Sequence, residues 1–411
     1  MTADNILLII LILIVSSFVF ERILEFLNNQ SFSEKIPSIA EGIYDKEKYI
    51  KSKNYNAVWY KFNSIQSVFS FILIFVLITL GIFGNLDIAI RNHVESPILA
   101  SLLFFAVLGI GSDIVTLPFQ LYGTFIIEEK FGFNKTTLKT FFTDKIKGYL
   151  LGALIGGGLL ALLQYIYIHT ADYFWILAWI VVSVFSIFTM SFYASLILPL
   201  FNKLSPLPDG ELKDEIVKFC DEQGFTLKNL FVMDGSKRSS KANAFFSGLG
   251  PKKVIVLYDT LIENYEKEEL VAVLAHEIGH YKMKHTLWSL FFSILSSGLM
   301  FYLLSMILGN DNLAIALGGN QQSFALSLLA FGILYSPISL ITEVFMNVIS
   351  RKNEYEADDF AAKNYKAQPL AESLKKLSSE NLTNLTPHPL YVFFHYSHPT
   401  LVQRLENLSK H

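Results

Sequence analysis

The sequence predicts a mainly α-helical membrane protein, a seven-helix transmembrane bundle with a small α+β domain on its cytosolic side. Three observations carry this. Of 411 residues, 52% are hydrophobic and only 17% charged, where soluble domains carry about 25% charged residues. Phe alone occurs 36 times. Seven apolar segments are long enough to cross roughly 30 Å of hydrocarbon, which takes about 20 helical residues.

In chain order the segments are Ile6–Phe26, Val68–Phe83 with its flanks, Pro97–Gln120, Lys147–Ile168, Tyr173–Leu200, Leu287–Leu308 and Ser323–Ile349. Each must be helical, because a segment in lipid has to satisfy its own backbone polar groups. The first segment lacks a basic residue before it, and Glu21, Arg22 and Glu25 follow it instead of a small-residue cleavage site. It therefore reads as a span, not a cleaved signal. Basic residues set the orientation. Lys35, Lys46, Lys48, Lys51, Lys53 and Lys61 separate spans one and two, and Lys130, Lys135, Lys139 and Lys145 separate spans three and four. The opposite loops hold only Arg91. This places the N-terminus outside or in a lumen, and the loops at 28–62, 121–145 and 201–285 in the cytosol.

Four regions follow: five spans over 1–200, a cytosolic segment over 201–286, two spans over 287–349, and a cytosolic C-terminal segment over 350–411. In the second region an amphipathic helix carries Ile216, Val217 and Phe219. Strand-like runs follow at Leu230–Met233, Ala244–Phe246 and Val254–Leu257. Gly248 and Gly250-Pro251 mark a turn between the last two. A second helix starts near Glu266. The net charge of −3 gives no sign of nucleic-acid binding, and the single Cys220 excludes an intramolecular disulfide. Cys220 reads as a buried packing residue.

The chemistry sits in His276-Glu277-Ile278-Gly279-His280. Two His four apart share a helix face and can meet one metal ion, with Glu277 on its flank to take a proton from water. Gly279 reads as leaving room beside the metal. A third ligand is needed, and Glu354 is the best candidate. Asp358 lies four residues on and can accept a hydrogen bond from a ligand imidazole, fixing its tautomer. Glu356 points elsewhere and is the lesser candidate. His285, five residues after His280, falls off the ligand face and reads as structural. In the tail, His395, His398 and Arg404 form a further set, from which a His can donate to an oxyanion. Asp113 and Glu343 lie within spans, near their cytosolic ends; Glu343 should sit below the metal.

Together these residues resemble the type I CAAX prenyl endopeptidases, integral-membrane zinc metalloproteases. The likeness runs through Gly132–Thr137, Asn243–Phe246, Ile255–Leu261, His276–His280 with His285, Glu354–Asp358, His395–Pro399 and Arg404. The resemblance implies seven helices enclosing a large chamber, with one zinc ion facing it near the cytosolic end. It implies His276, His280 and Glu354 as ligands and Glu277 as general base. It also implies that Asn243 and His398 contact the substrate or the transition state. Phe245, beside Asn243, and Arg404 complete the candidate substrate contacts. Glu356 stands where eukaryotic members usually have Gln, and Thr400 where they have a second Pro. With no recognisable ER-retrieval signal, a bacterial inner membrane is as open as the ER membrane.

The expected activity is zinc-dependent peptide hydrolysis in a lipid bilayer, acting on a peptide or protein substrate, prenylated or not. The alternative within the class is a membrane quality-control protease without prenyl specificity. From another class comes a seven-span transporter or receptor with an incidental His pair.

Overall fold

The computed structural model describes residues 1–33, 35–36, 38, 41–42, 44–225, 229–248 and 254–411, with the side chains of residues 171 and 229 excepted. Spans one to six are the helices Ala3–Gln30, Lys46–Thr79, Pro97–Phe131, Leu138–Thr170, Phe174–Phe201 and His285–Ile307. The seventh is a broken pair, Phe324–Leu334 and Ser336–Asn364, bent by 53°. Pro337 sits in the first turn of the second half, where its missing N–H costs least.

Several boundaries differ from the sequence reading. The second helix ends at Thr79, and Phe83 belongs to a separate short helix, Ile82–Arg91. Gly81 between them is left-handed, with φ 63°, which breaks the helix at a position an L side chain resists. The second and fourth helices begin well before the apolar segments read from the sequence, at Lys46 and Leu138. The turn expected at Gly250-Pro251 lies outside the described residues, while Gly248 has the positive φ of a turn glycine.

The spans form a ring. Each packs against its chain neighbours, and the seventh returns to the first; Phe62 and Phe69 join spans two and three by packing on Phe119. At most 17% of the most apolar stretch of any of the six unbroken spans is buried. Spans this little buried expose most of their surface, to lipid or to the space that the helices surround. The cores lie at the ends. At the end away from the His motif, Ile6, Ile10, Ile78, Phe83, Phe104 and Leu317 pack together.

A backbone crossing helps close that end. Gly84 N–H donates to Leu317 O at 2.9 Å, and a Cβ on Gly84 would lie 1.9 Å from the Gly318 carbonyl carbon. Gly84→Ala should therefore cost about 1–3 kcal/mol by overpacking. The expected result is a lower Tm with unchanged turnover per folded molecule, measured by thermal denaturation beside an activity assay.

At the other end sits the α+β domain. Its sheet has four strands: β1 (Leu204–Pro206), β2 (Asn229–Met233), β3 (Ala244–Ser247) and β4 (Val254–Tyr258), in the order β1-β2-β4-β3. β2 and β4 are parallel; the other two pairs are antiparallel. β4 is central and its first four residues are buried, so it reads as an unbroken apolar run. β3 is an edge strand. Helices Glu211–Glu222, Lys267–Lys282 and Ala367–Glu380 contribute to the core beside the sheet, with Ile216, Phe219 and Cys220 buried in it.

Candidate metal centre

The motif helix, Lys267–Lys282, is started by a capping box between Glu266 and Glu269, which satisfies two of the free N-terminal donors. Its long axis lies against the outer part of the Ser336–Asn364 helix. The reason is Gly279: a Cβ there would press on Ala357 Cα and Phe360 Cβ, both at 3.2 Å. Gly279 thus permits helix–helix approach, where the sequence suggested room beside a metal.

That approach brings His276, His280 and Glu354 together, with one ligand atom from each within 4.8 Å of the others. The two Nε2 atoms are 3.1 Å apart. Glu354 carboxylate oxygens lie 3.5 Å from His276 Nε2 and 3.2 Å from His280 Nε2. Glu354 is buried, and its Oε2 accepts no hydrogen bond among the described residues. That oxygen lies 3.5 Å from His276 Nε2 and 3.4 Å from Arg404 Nη1, contacts too loose for a good hydrogen bond, and it is free to meet a metal ion. Two imidazoles and one carboxylate are a zinc-type donor set, with a position left for water.

The opposite nitrogens are held too. Asp358, fully buried, meets His276 Nδ1 at 2.9 Å. This puts the proton on Nδ1 and the lone pair on Nε2. Arg404 clamps Asp358 in two hydrogen bonds of 2.8 and 2.6 Å, and its Nη1 lies 3.4 Å from Glu354. Such a bidentate pair is stronger and better aimed than a single contact. On the other ligand, His280 Nδ1 lies 3.1 Å from His285 Nδ1, and His285 Nε2 is 3.0 Å from Glu356. With the carboxylate accepting from Nε2, His285 presents its Nδ1 lone pair, and His280 donates to it. His285 and Glu356 therefore belong to the site, in contrast to the sequence reading of both.

Electrostatics agree with a cation here. Burial opposes charge on His276, but Asp358 and Glu354 overcome it and raise its pKa to about 9, so the pocket favours positive charge at Nε2, as a proton or as a metal ion taking its place. Burial likewise works to raise the Glu354 pKa, but hydrogen bonds with His276 and His280 hold it below the usual carboxylate range. Burial raises the Glu277 pKa, toward the range of a working base. The His398 pKa is lowered by partial desolvation of the ring, although 63% of the side chain stays exposed. Its Nε2 is 3.3 Å from Glu354, and Ser397 Oγ lies 2.9 Å from its Nδ1.

These groups open into a cavity of about 380 Å³. Asn243, Phe245 and Phe246 form one side, with Glu277, His398 and Arg404 facing it. Asn243 is exposed, and its Oδ1 accepts from Ala244 N–H at 2.9 Å. His395 lies apart, 3.3 Å from Glu21 on the first span, with Glu343 of the seventh span acting on it electrostatically. Asp113 pairs with Lys145 at 2.5 Å and bonds Tyr149 and Gln120, joining spans three and four.

A ring of membrane helices with this donor set at one end defines an integral-membrane metallopeptidase. The comparisons agree. A model described as "CAAX prenyl protease N-terminal, five membrane helices" matches residues 25–203, and one described as "Peptidase family M48" matches residues 206–411. The chain is 36% identical to a CAAX prenyl protease 1 homolog of Arabidopsis thaliana, over 94% of each chain. It is 36% identical to CAAX prenyl protease 1 of Saccharomyces cerevisiae, over 96% of this chain and 93% of that protein. The crystal structure of S. mikatae Ste24p superposes with a TM-score of 0.93 at 36% identity, covering 98% and 99% of the two chains. The chain belongs to peptidase family M48 and is a multi-pass membrane metalloprotease.

Proposed function

We propose that the chain holds one zinc ion through His276, His280 and Glu354, and cleaves the C-terminal segment of prenylated CAAX proteins. The convergence of the His276 and His280 imidazoles and the buried Glu354 carboxylate, one ligand atom from each within 4.8 Å of the others, carries the metal assignment. The substrate assignment leans on the CAAX prenyl protease relatives and on the ring of membrane helices beside the site, within reach of a lipid-modified chain end.

Zinc in such a site supplies a Lewis acid that polarises a carbonyl and lowers the pKa of water toward about 7. Glu277 takes the proton from the attacking water and returns it to the leaving amine. With Ser397 donating to Nδ1, His398 presents its Nε2–H to the developing oxyanion. Asp358 holds His276 in its tautomer, Arg404 holds Asp358, and Glu356 through His285 holds His280. Arg404 also borders the cavity as a substrate contact.

The peptide binds as an added strand on the free edge of β3, next to Phe245. Asn243, at the start of that edge, donates its amide to the peptide backbone. Asn243→Ala should leave zinc and Tm intact and lower kcat/KM about tenfold, the worth of one to two kcal/mol of hydrogen bonding. An unaltered kcat/KM in the zinc-loaded variant rules the contact out.

The test of substrate class is a cleavage assay on one peptide with and without its prenyl group. Preference for the prenylated form supports the proposal; equal rates favour a quality-control protease, which backbone recognition on β3 would also serve.

The metal centre lies on the cytosolic side and the N-terminus outside or in the lumen, an orientation supported by the lysine distribution. With Cys220 replaced, a Cys at position 56 should be inaccessible to an impermeant reagent in intact cells. External labelling would reverse the orientation.

A further inference from the structure

Away from the metal centre, two cavities share the residues Val58 and Lys61 of the second span. The larger, about 960 Å³, lies between the early part of this helix and the Lys130–Phe133 segment. It carries Lys48, Lys51, Lys61 and Lys130. Among the described residues, none of these four ion-pairs with a carboxylate, whereas nearby Lys241 is neutralised by Glu128 at 3.2 Å. Three acids also border the cavity, Asp45, Glu47 and Glu380. Asp45 is engaged in capping its helix, and Glu380 accepts from Tyr265. Asp45 and Glu47 lie at the opposite end from Lys61, about 20 Å away along the helix.

The second cavity, about 480 Å³, continues from Lys61 into the bilayer-spanning part, between spans two and three. Its walls are Phe62, Ile65, Pro118, Phe119, Tyr122 and Ile127. Pro118 lies inside its helix, which then widens into a π segment, Gly123–Glu128. Proline removes a backbone bond and disturbs the turn before it. Ile65 and Tyr122 are 64% and 50% exposed.

Lysines without a carboxylate partner among the described residues, opening onto an apolar trough beside a membrane-spanning helix, match one ligand chemistry: an anionic head joined to a hydrocarbon tail. We propose that this composite groove binds an acidic glycerophospholipid. Its phosphate-bearing headgroup lies between Lys61 and Lys130, and an acyl chain lies along Phe62, Ile65 and Phe119. Basic pockets between membrane helices hold acidic headgroups in this way.

The experiment uses the full chain in detergent, stripped of lipid. Its affinity for phosphatidylserine, phosphatidylcholine and inorganic phosphate is measured by native mass spectrometry and by the rise in Tm. Phosphatidylserine should bind and raise Tm, phosphatidylcholine should bind at least about tenfold more weakly, and phosphate alone should leave Tm unchanged. Each basic residue near an anionic lipid contributes roughly fivefold, so Lys61→Ala with Lys130→Ala should weaken phosphatidylserine by at least about tenfold. Ile65→Trp, which fills the trough and leaves the lysines, should weaken it as well. Lys218→Ala, on a distant exposed helix, is the control and should change nothing. Equal binding of both lipids, or an unchanged affinity in the double lysine variant, overturns the proposal. Phosphate that matches phosphatidylserine, or Ile65→Trp without effect, overturns it in favour of a simple anion site.

Discussion

Glu277→Gln should leave one zinc per chain and lower kcat by about three orders of magnitude, within the range of a lost general base. The substitution keeps size and hydrogen bonding but removes the group that accepts the proton. Glu277 faces the same cavity as His276, His280 and His398, and burial lifts its pKa, which brings it closer to the water it must deprotonate. None of the residues holding His276 or His280 in place contacts it in the described hydrogen-bond network, so metal binding does not depend on it. Zinc content and single-turnover rates on the same preparation decide the matter. Near-normal turnover with full zinc sends the base role elsewhere.

Glu354→Ala should act on the metal first. It removes one of three donors, so zinc content should fall well below one per chain and activity should drop to background. The variant also frees Arg404 Nη1 and His398 Nε2 from their carboxylate neighbour. Asp358→Ala should be milder, with zinc affinity down about 10–100-fold, because it releases a ligand's partner and not a ligand. Because a metal bound only by the folded state stabilises it, chelation should lower the Tm of the parent and leave Glu354→Ala unmoved. An equal fall in both would separate Glu354 from the metal.

How much of this was legible in the sequence follows from the range of each signal. His276 with His280, and Glu354 with Asp358, are four apart on uninterrupted helices, so helical periodicity alone aligned them. The same periodicity misplaced His285. Five residues on a continuous helix would carry it off the ligand face, but the helix ends after Lys282 and Lys284 is left-handed at φ 60°. That reversal folds His285 back onto His280. Glu356 was misread for the same reason, since its partner was not where a straight helix would put it. β1 escaped notice because three residues ending in Pro206 carry no alternation. The ring of spans has no local signature at all. It depends on which spans meet, and composition records only that each can cross the bilayer.

The helix Ser336–Asn364 is the second half of the broken seventh span and reaches the candidate metal centre without a break. Glu354 stands about 27 Å along it from the 53° bend. A rod of that length converts a tilt of five degrees into a displacement of about 2 Å at its tip, and about 1 Å is enough to cost a hundredfold in rate. Helices tilt to match the thickness of the lipid around them. On the proposed ligand set, turnover should therefore vary when the protein is moved between bilayers of different acyl-chain length, which an activity assay in vesicles of defined lipids would read. Moving it between bilayers of different thickness changes the leverage on one ligand, unless the whole ring leans together.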